Sequence, residues 1–167
     1  PDDPAELKEE QQQKIKALFE ASRKVGRELL VEIIAGKHGS LADDTIARAV
    51  AEFYQLGVKP DWWKLEPQTS LAAWHETAKV IKAGDPWCRG VVLLGLDAPE
   101  VELVQAFESV AGVDVIKGFA VGRTLFSETA QQWLRGSMDD AAAVDDMAQR
   151  FERLTGLWLK CRNARAA

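Results

Sequence analysis

The sequence has few of the features that mark secreted, membrane-spanning or metal-binding proteins. It contains two cysteines, Cys88 and Cys161, and neither lies at a spacing typical of a metal or redox site. The longest apolar run, residues 91–96, is far too short to cross a bilayer. No signal-peptide pattern opens the sequence. Because isolated thiols suit a reducing compartment, we expect a cytoplasmic protein without a membrane partner.

An excess of positive charge is also missing. The 21 lysines and arginines are outnumbered by 26 aspartates and glutamates, which gives a net charge of −5. Since no basic stripe is present, nucleic acid is not an expected partner. Asp, His and Glu form no cluster with metal-ligand spacing, so neither a metal nor another cofactor is expected. At 167 residues and 47% hydrophobic content, the chain is predicted to fold as one globular domain.

Strand and helix patterns alternate along the chain. A leading polar helix is predicted within residues 1–27, four strand–helix units within residues 28–139, and a terminal helix with a tail over residues 140–167. The strand patterns are almost continuously apolar, which is typical of parallel strands covered on both faces. Four such units with right-handed crossovers form either an open sheet or half of an eight-stranded barrel.

The second strand pattern is unusual because a lysine stands in the middle of it, in the run DWWKLEP at residues 61–67. Alternation along a strand predicts that Trp62, Lys64 and Glu66 share one face. Burial beside indole rings favours a neutral amine, which is the form that a Schiff-base nucleophile needs. Glu66 can instead pair with Lys64 and keep it charged, or the amine can extend to water. The strand alone leaves these alternatives open.

Two carboxylates are candidates for moving protons to and from a substrate on Lys64. Glu32 interrupts the first strand pattern and lies beside Lys64 if sequential strands pair. Glu66 is expected to point in the same direction as Lys64. The sequence does not decide which of them is the proton shuttle, and Glu32 can equally be the partner of a nearby basic group. His38, in the loop after the first strand, is either a substrate contact or an ordinary loop residue.

Glycines end the third and fourth strand patterns, at Gly95 and Gly122, and Arg123 follows the second of them. Each glycine precedes a predicted helix, and helix N-termini favour anions. Asp97 and Glu100 predict a capping box at the first of these helices. Gly95, Gly122 and Arg123 are therefore candidates for binding a substrate phosphate, although the glycines can also serve tight turns alone.

Three stretches resemble the C-terminal, aldolase-like domain of bacterial myo-inositol catabolism proteins. They are residues 58–67 (VKPDWWKLEP), 88–99 (CRGVVLLGLDAP) and 117–124 (KGFAVGRT). The resemblance extends over residues 29–158. In that family a sugar-kinase domain is often fused ahead of the aldolase-like barrel, so a fused kinase domain is an expected partner.

A more distant resemblance is to class I tagatose-bisphosphate aldolases. Their sixth strand carries the Schiff-base lysine in a context similar to Lys64, Glu66 and Pro67. Their fifth strand carries a glutamate similar to Glu32, and their eighth ends in a Gly-Arg pair similar to Gly122–Arg123. The resemblance implies an α/β fold of the (βα)8 TIM-barrel type, of which this chain is similar to the C-terminal half, strands five to eight.

The activity implied by the resemblance is that of a class I aldolase. It cleaves 2-deoxy-5-keto-gluconate 6-phosphate to dihydroxyacetone phosphate and malonate semialdehyde, without a cofactor. Strands one to four of such a barrel are absent, so a missing N-terminal half-barrel or a second copy is an expected partner, and activity of this chain alone is left open. One alternative is a non-catalytic structural or regulatory domain partnering a sugar kinase. Another is a phosphate-binding barrel enzyme, such as an epimerase, that forms no imine.

Overall fold

A computed structural model describes residues 1–36, 41–68, 70–95 and 97–164. Over these ranges the chain forms a helix, four strand–helix units and a last helix, in the predicted order. The helices are α1 (Ala5–Lys24), α2 (Thr45–Gln55), α3 (Leu71–Gly84), α4 (Glu100–Val110), α5 (Arg123–Leu134) and α6 (Asp140–Asn163). The strands are β1 (Leu30–Ile33), β2 (Trp62–Leu65), β3 (Gly90–Leu94) and β4 (Ile116–Ala120).

The four strands form one parallel sheet in the order β1-β2-β3-β4. Each strand therefore lies next to its neighbour in sequence, as expected when a helix connects consecutive parallel strands. The α/β class is confirmed, and the arrangement is consistent with a half-barrel. The described strands do not close into a barrel, so the complete eight-stranded barrel stays a prediction.

The chain divides into two compact units. The first comprises Pro1–Val92 with Val113–Lys117, and the second comprises Leu93–Gly112 with Gly118–Ala167. The single domain expected from the sequence stays a prediction.

The core of the first unit forms where one face of β1 and β2 packs on helices. Burial alternates along both strands, with Trp63 and Leu65 fully buried, because successive side chains point to opposite faces. The indole N–H of Trp63 donates to the Tyr54 hydroxyl over 2.9 Å. The Trp63 ring also meets Tyr54 edge-on at 5.7 Å and Phe53 at 5.9 Å. Trp63 is thus the largest anchor between β2 and α2.

Aromatic contacts also build the core of the second unit. Phe107 on α4 is fully buried and meets Trp158 on α6 edge-on, with ring centroids 5.3 Å apart. Phe119 on β4 lies 4.9 Å from Phe107. At the surface, Arg153 on α6 holds the Glu100 carboxylate through Nε and Nη2. These contacts fasten α6 to α4.

The predicted capping box at the start of α4 is wrong. The N-cap of α4 is Pro99, and none of the side chains that the structure describes caps the helix. Asp97 adopts a left-handed backbone conformation, with φ of 64°, and its carboxylate lies 3.5 Å from Nη1 of Arg123. Since Asp97 lies two residues before the N-cap, its side chain pairs elsewhere.

Asp61 ties the start of β1 to the segment that leads into β2. Its Oδ2 accepts from the backbone N–H of Leu29 over 2.8 Å and lies 3.0 Å from Nη1 of Arg23. Burial acts to raise the pKa of Asp61, but the hydrogen bond from Leu29 and the Arg23 guanidinium outweigh it, so the pKa is lowered. The ionised carboxylate is therefore the form that stabilises this junction.

We expect Trp63→Ala to lower the free energy of unfolding by roughly 3–5 kcal/mol, since it removes a buried aromatic anchor. The matched control is Trp87→Ala, because Trp87 is 88% exposed and surface changes usually stay within about 0.5 kcal/mol. Urea unfolding followed by circular dichroism measures both. Equal losses for the two variants would contradict this description of the core.

Asp61→Asn is expected to destabilise the fold at pH 7 by roughly 1–2 kcal/mol, because the contacts with Leu29 and Arg23 lose the negative charge that strengthens them. The pKa of Asp61 is lowered in the folded chain, so its contribution is present above the unfolded pKa of about 3.9 and disappears as the pH falls through the folded value. The difference between wild type and variant should therefore shrink below about pH 4. A difference that is constant from pH 7 to pH 3 in urea titrations would count against the assignment.

Candidate functional site

Glu32 and Lys64 form an ion pair across two neighbouring strands. The register of β1 and β2 sets Glu32 directly opposite Lys64, and the Lys64 Nζ lies 2.7 Å from Oε1 of Glu32. The side chains of Lys64 and Glu32 are 24% and 37% exposed, respectively. The parallel pairing expected from the sequence is confirmed, and it places the candidate nucleophile against a candidate proton carrier.

The pair lies on the less covered face of the strands. Leu30 is exposed and Trp62 half-buried, while the intervening residues of both strands are buried. Trp62 is fixed on this face because its indole N–H donates to Oε2 of Glu28 over 3.0 Å. The other Glu28 oxygen lies 2.8 Å from Nη2 of Arg89. The indole ring of Trp62, two residues before Lys64 in β2, is therefore fixed in position.

Glu66 does not join this pair, contrary to the Lys64–Glu66 pairing considered from the sequence. The strand β2 ends at Leu65, and the side chain of Glu66 is 3% exposed. Its Oε2 accepts from the backbone N–H groups of Ala35 and Gly36 over 2.5 and 3.1 Å, and its Oε1 accepts from Gly36 over 3.0 Å. Strand alternation does not apply to Glu66, because this residue lies one position beyond the end of the strand.

A cleft of about 320 Å³ lies beside Glu32 in the first unit. Residues of α1, β1 and α2 line it, among them Glu32, Lys8 and Glu52. The Lys8 ammonium donates to Glu52 and to the backbone carbonyl of Pro1. Glu32 thus borders a space that water can enter, so its carboxylate can exchange protons with solvent.

The candidate phosphate-binding residues all lie in the second unit, whereas Glu32, Lys64 and Glu66 lie in the first. Gly95 directly follows β3, and Gly122 is the N-cap of α5, with Arg123 as the first residue of that helix. The predicted positions at strand ends are therefore confirmed, while the binding of phosphate stays a prediction.

Packing gives Gly95 a role that the sequence did not reveal. A Cβ at this position would lie 2.6 Å from Cγ1 of Val121 and 3.5 Å from Cδ2 of Leu103. The shorter of these separations is too short for two carbon atoms. Gly95 is thus required by the neighbouring side chains, whether or not its amide also contacts a ligand.

Arg123 lines a cleft of about 360 Å³ in the second unit, together with Thr124, Ser127, Arg150 and Arg153. Arg150 pairs with Glu128 and Arg153 with Glu100, at 2.8 and 2.7 Å. Arg123 makes the longer contact, 3.5 Å to Asp97, and is exposed. Sequence reasoning missed Arg150 and Arg153, since they stand in a distant helix with no motif around them. Of these three arginines, Arg123 has the guanidinium that is most available to an anion.

Some sequence predictions concern other features. His38 lies outside the described residues. Within the ranges that the structure describes, no group of three or more His, Cys, Asp or Glu side chains is placed to hold a metal ion. No helix in those ranges is long and apolar enough to cross a membrane.

The fold and the site define an α/β chain with a lysine–glutamate pair on adjacent parallel strands. A family model described as an uncharacterized protein conserved in bacteria, DUF2090, matches residues 1–162. The chain therefore belongs to this family. No curated protein matches it significantly. Because the family description names no activity, the resemblance to aldolase-like domains of myo-inositol catabolism stays a prediction.

Gly95→Ala is expected to destabilise the fold by about 1–3 kcal/mol, because the new methyl group overlaps Val121. The matched control is Gly118→Ala in β4, where a Cβ would meet no atom of the described residues within 4 Å, so its effect should stay within about 1 kcal/mol. Thermal unfolding of the two variants measures the difference. If Gly95→Ala were as stable as Gly118→Ala, the close packing around Gly95 would be refuted.

Proposed function

We propose that this chain carries the Schiff-base site of a class I aldolase that acts on a phosphorylated keto sugar acid. Lys64 is the nucleophile and Glu32 is the proton shuttle. The observation that carries the proposal is the 2.7 Å contact between Lys64 Nζ and Glu32 Oε1, on facing residues of adjacent parallel strands. A carboxylate at this distance can accept the ammonium proton and thereby generate the neutral amine that attacks a ketone.

In the proposed cleavage, the Lys64 nitrogen adds to the C5 ketone of the substrate and water leaves, which forms an iminium. A carboxylate base removes the proton of the C3 hydroxyl. The C3–C4 bond then breaks, malonate semialdehyde departs, and the bonding electrons move into the iminium to form an enamine. Protonation at C4 followed by addition of water releases dihydroxyacetone phosphate and the free lysine. The iminium serves as the electron sink, as is usual in covalent catalysis by lysine.

Exposure and hydrogen bonding favour Glu32 over Glu66 as the shuttle. Glu32 is partly exposed and borders a cleft, so it can take a proton from Lys64 and return it to solvent or substrate. Glu66 is buried, and both of its oxygens accept from backbone amides. A buried carboxylate held by backbone amides exchanges a proton with solvent less readily than Glu32, which borders the cleft.

The substrate class follows from the resemblance and from the exposed guanidinium of Arg123. By the resemblance, Gly95, Gly122 and Arg123 hold the phosphate, and the substrate is 2-deoxy-5-keto-gluconate 6-phosphate. Arginine at a helix start suits a phosphate because its charge and the helix N-terminus attract the same anion. The proposal includes two partners. A missing N-terminal half-barrel or a second copy of this chain supplies the other strands of the barrel. A sugar-kinase domain is fused ahead of the barrel, as it often is in the proteins that this chain resembles.

The ion pair itself also favours a second candidate function. A lysine held against a carboxylate is a normal structural contact, and buried or half-buried pairs often have no catalytic role. In that case the chain is a non-catalytic structural or regulatory domain that partners a sugar kinase. The two functions differ in whether Lys64 forms a covalent bond with a ketone.

Borohydride reduction in the presence of dihydroxyacetone phosphate is expected to add the mass of the reduced adduct to the wild-type chain and to Lys79→Met, but not to Lys64→Met. Lys79 is the matched control, because it also pairs with a glutamate, Glu76, at 3.6 Å, but on an exposed helix surface. Glu32→Gln should slow adduct formation by about 100-fold or more, since a general base is typically worth that factor. Intact-mass spectrometry over time measures all four proteins.

Circular dichroism must show that Lys64→Met is folded, so that loss of the adduct reports chemistry. An adduct that persists in folded Lys64→Met would exclude Lys64 as the nucleophile. Equal, slow modification of many lysines would favour the non-catalytic alternative.

A further inference from the structure

We infer that Glu66 is a positioning residue that acts through Glu32, and that it carries no proton in the reaction. The inference rests on the proposed function of the Lys64–Glu32 pair and assigns a different role to the third residue of the predicted site. It starts from the chemistry around the buried carboxylate. The donors found on its two oxygens are the backbone N–H groups of Ala35 and Gly36.

The position of this contact explains how Glu66 reaches the ion pair. Ile33 and Leu65 form the last paired position of β1 and β2. Just beyond this position, the backbone N–H of Ala35 donates to the Glu66 side chain. The carboxylate thus takes the place that a backbone carbonyl of the neighbouring strand would have if the pairing continued. Lys64 is two residues before Glu66, and Glu32 is three residues before Ala35. The contacts Lys64–Glu32 and Glu66–Ala35 therefore close one ring across the two strands.

Gly36 shows that this arrangement is built around the carboxylate. A Cβ on Gly36 would overlap Oε1 of Glu66, with the next atom, Cδ of Glu66, at 3.5 Å. The absence of a side chain at residue 36 thus lets the carboxylate approach the amide. These hydrogen bonds fix the exit of β1 and with it the direction of Glu32.

The test uses the rate at which an N-hydroxysuccinimide acetate labels Lys64, relative to exposed Lys79 in the same molecule. Glu32→Gln should raise this ratio about fivefold, the factor that corresponds to the loss of one typical interaction on Lys64. The active ester needs only a free amine, whereas imine formation from a ketone also needs a proton shuttle for the loss of water, so the same variant slows adduct formation. Glu66→Ala and Gly36→Ala should raise the labelling ratio similarly, because the first removes the carboxylate and the second pushes it away from the two backbone amides at the exit of β1. Glu66→Gln should stay within about twofold of wild type, since its amide oxygen can occupy the position of Oε2, which both backbone amides reach.

A double variant separates an indirect from a direct role. If Glu66 acts through Glu32, adding Glu66→Ala to Glu32→Gln should not raise the ratio further. The inference would be overturned if Glu66→Gln raised the labelling ratio as much as Glu32→Gln does. It would also be overturned if the two effects multiplied in the double variant, or if Glu66→Ala or Gly36→Ala left the ratio at the wild-type value. The Gly36→Ala variant keeps the carboxylate, so the test remains decisive if Glu66→Ala does not fold.

Adduct formation with dihydroxyacetone phosphate distinguishes failure of the inference from failure of the proposed function. Glu66→Gln should form the adduct at a rate within about fivefold of wild type. If Glu66 were the proton shuttle, Glu66→Gln would lose adduct formation as fully as Glu66→Ala. If wild type forms no adduct, either as this chain or in the longest natural protein that contains it, the proposed aldolase function fails, while the labelling ratios still decide whether Glu66 positions the pair.

Discussion

The parallel pairing of β1 with β2, in the register that sets Glu32 opposite Lys64, is the constraint on which the candidate site depends. Side chains on facing residues of one sheet face are near neighbours. A slip of one residue would turn Glu32 toward the buried face and separate the charges. Burial of Val31, Ile33, Trp63 and Leu65 on the opposite face opposes such a slip, so hydrophobic packing fixes the polar pair.

Two carboxylates that flank β2 hold the two ends of β1. Asp61, before β2, accepts from Leu29 at the entry of β1, and Glu66, after β2, accepts from Ala35 at its exit. Strands of four residues have few backbone hydrogen bonds, and side chains that bond to backbone amides extend the pairing at both ends. The Lys64–Glu32 pair lies between these contacts, and such fixed placement is the preorganisation that the proposed chemistry would need.

Much of the fold was predictable because apolar runs, glycines and polar helices follow each other with a regular period. The same reasoning placed Glu32 beside Lys64 once consecutive strands were assumed to pair. It did not reveal that Glu66 accepts from the backbone amides of Ala35 and Gly36, because these contacts form beyond the end of β2 at Leu65. It also failed at Asp97, whose left-handed backbone and pairing with Arg123 depend on residues distant in sequence. The steric need for Gly95 depends likewise on Val121, which no local pattern reveals.

The central claim is that Lys64 forms a covalent imine while Glu32 stays beside it. A crystal structure of the chain after borohydride reduction with dihydroxyacetone phosphate tests this claim most directly. The account predicts continuous density from Lys64 Nζ to the former carbonyl carbon, with the Glu32 carboxylate within hydrogen-bond distance of the ligand. An unmodified Lys64 that is still paired with Glu32 would contradict it, provided that the protein was saturated with dihydroxyacetone phosphate and treated with excess borohydride before crystallisation.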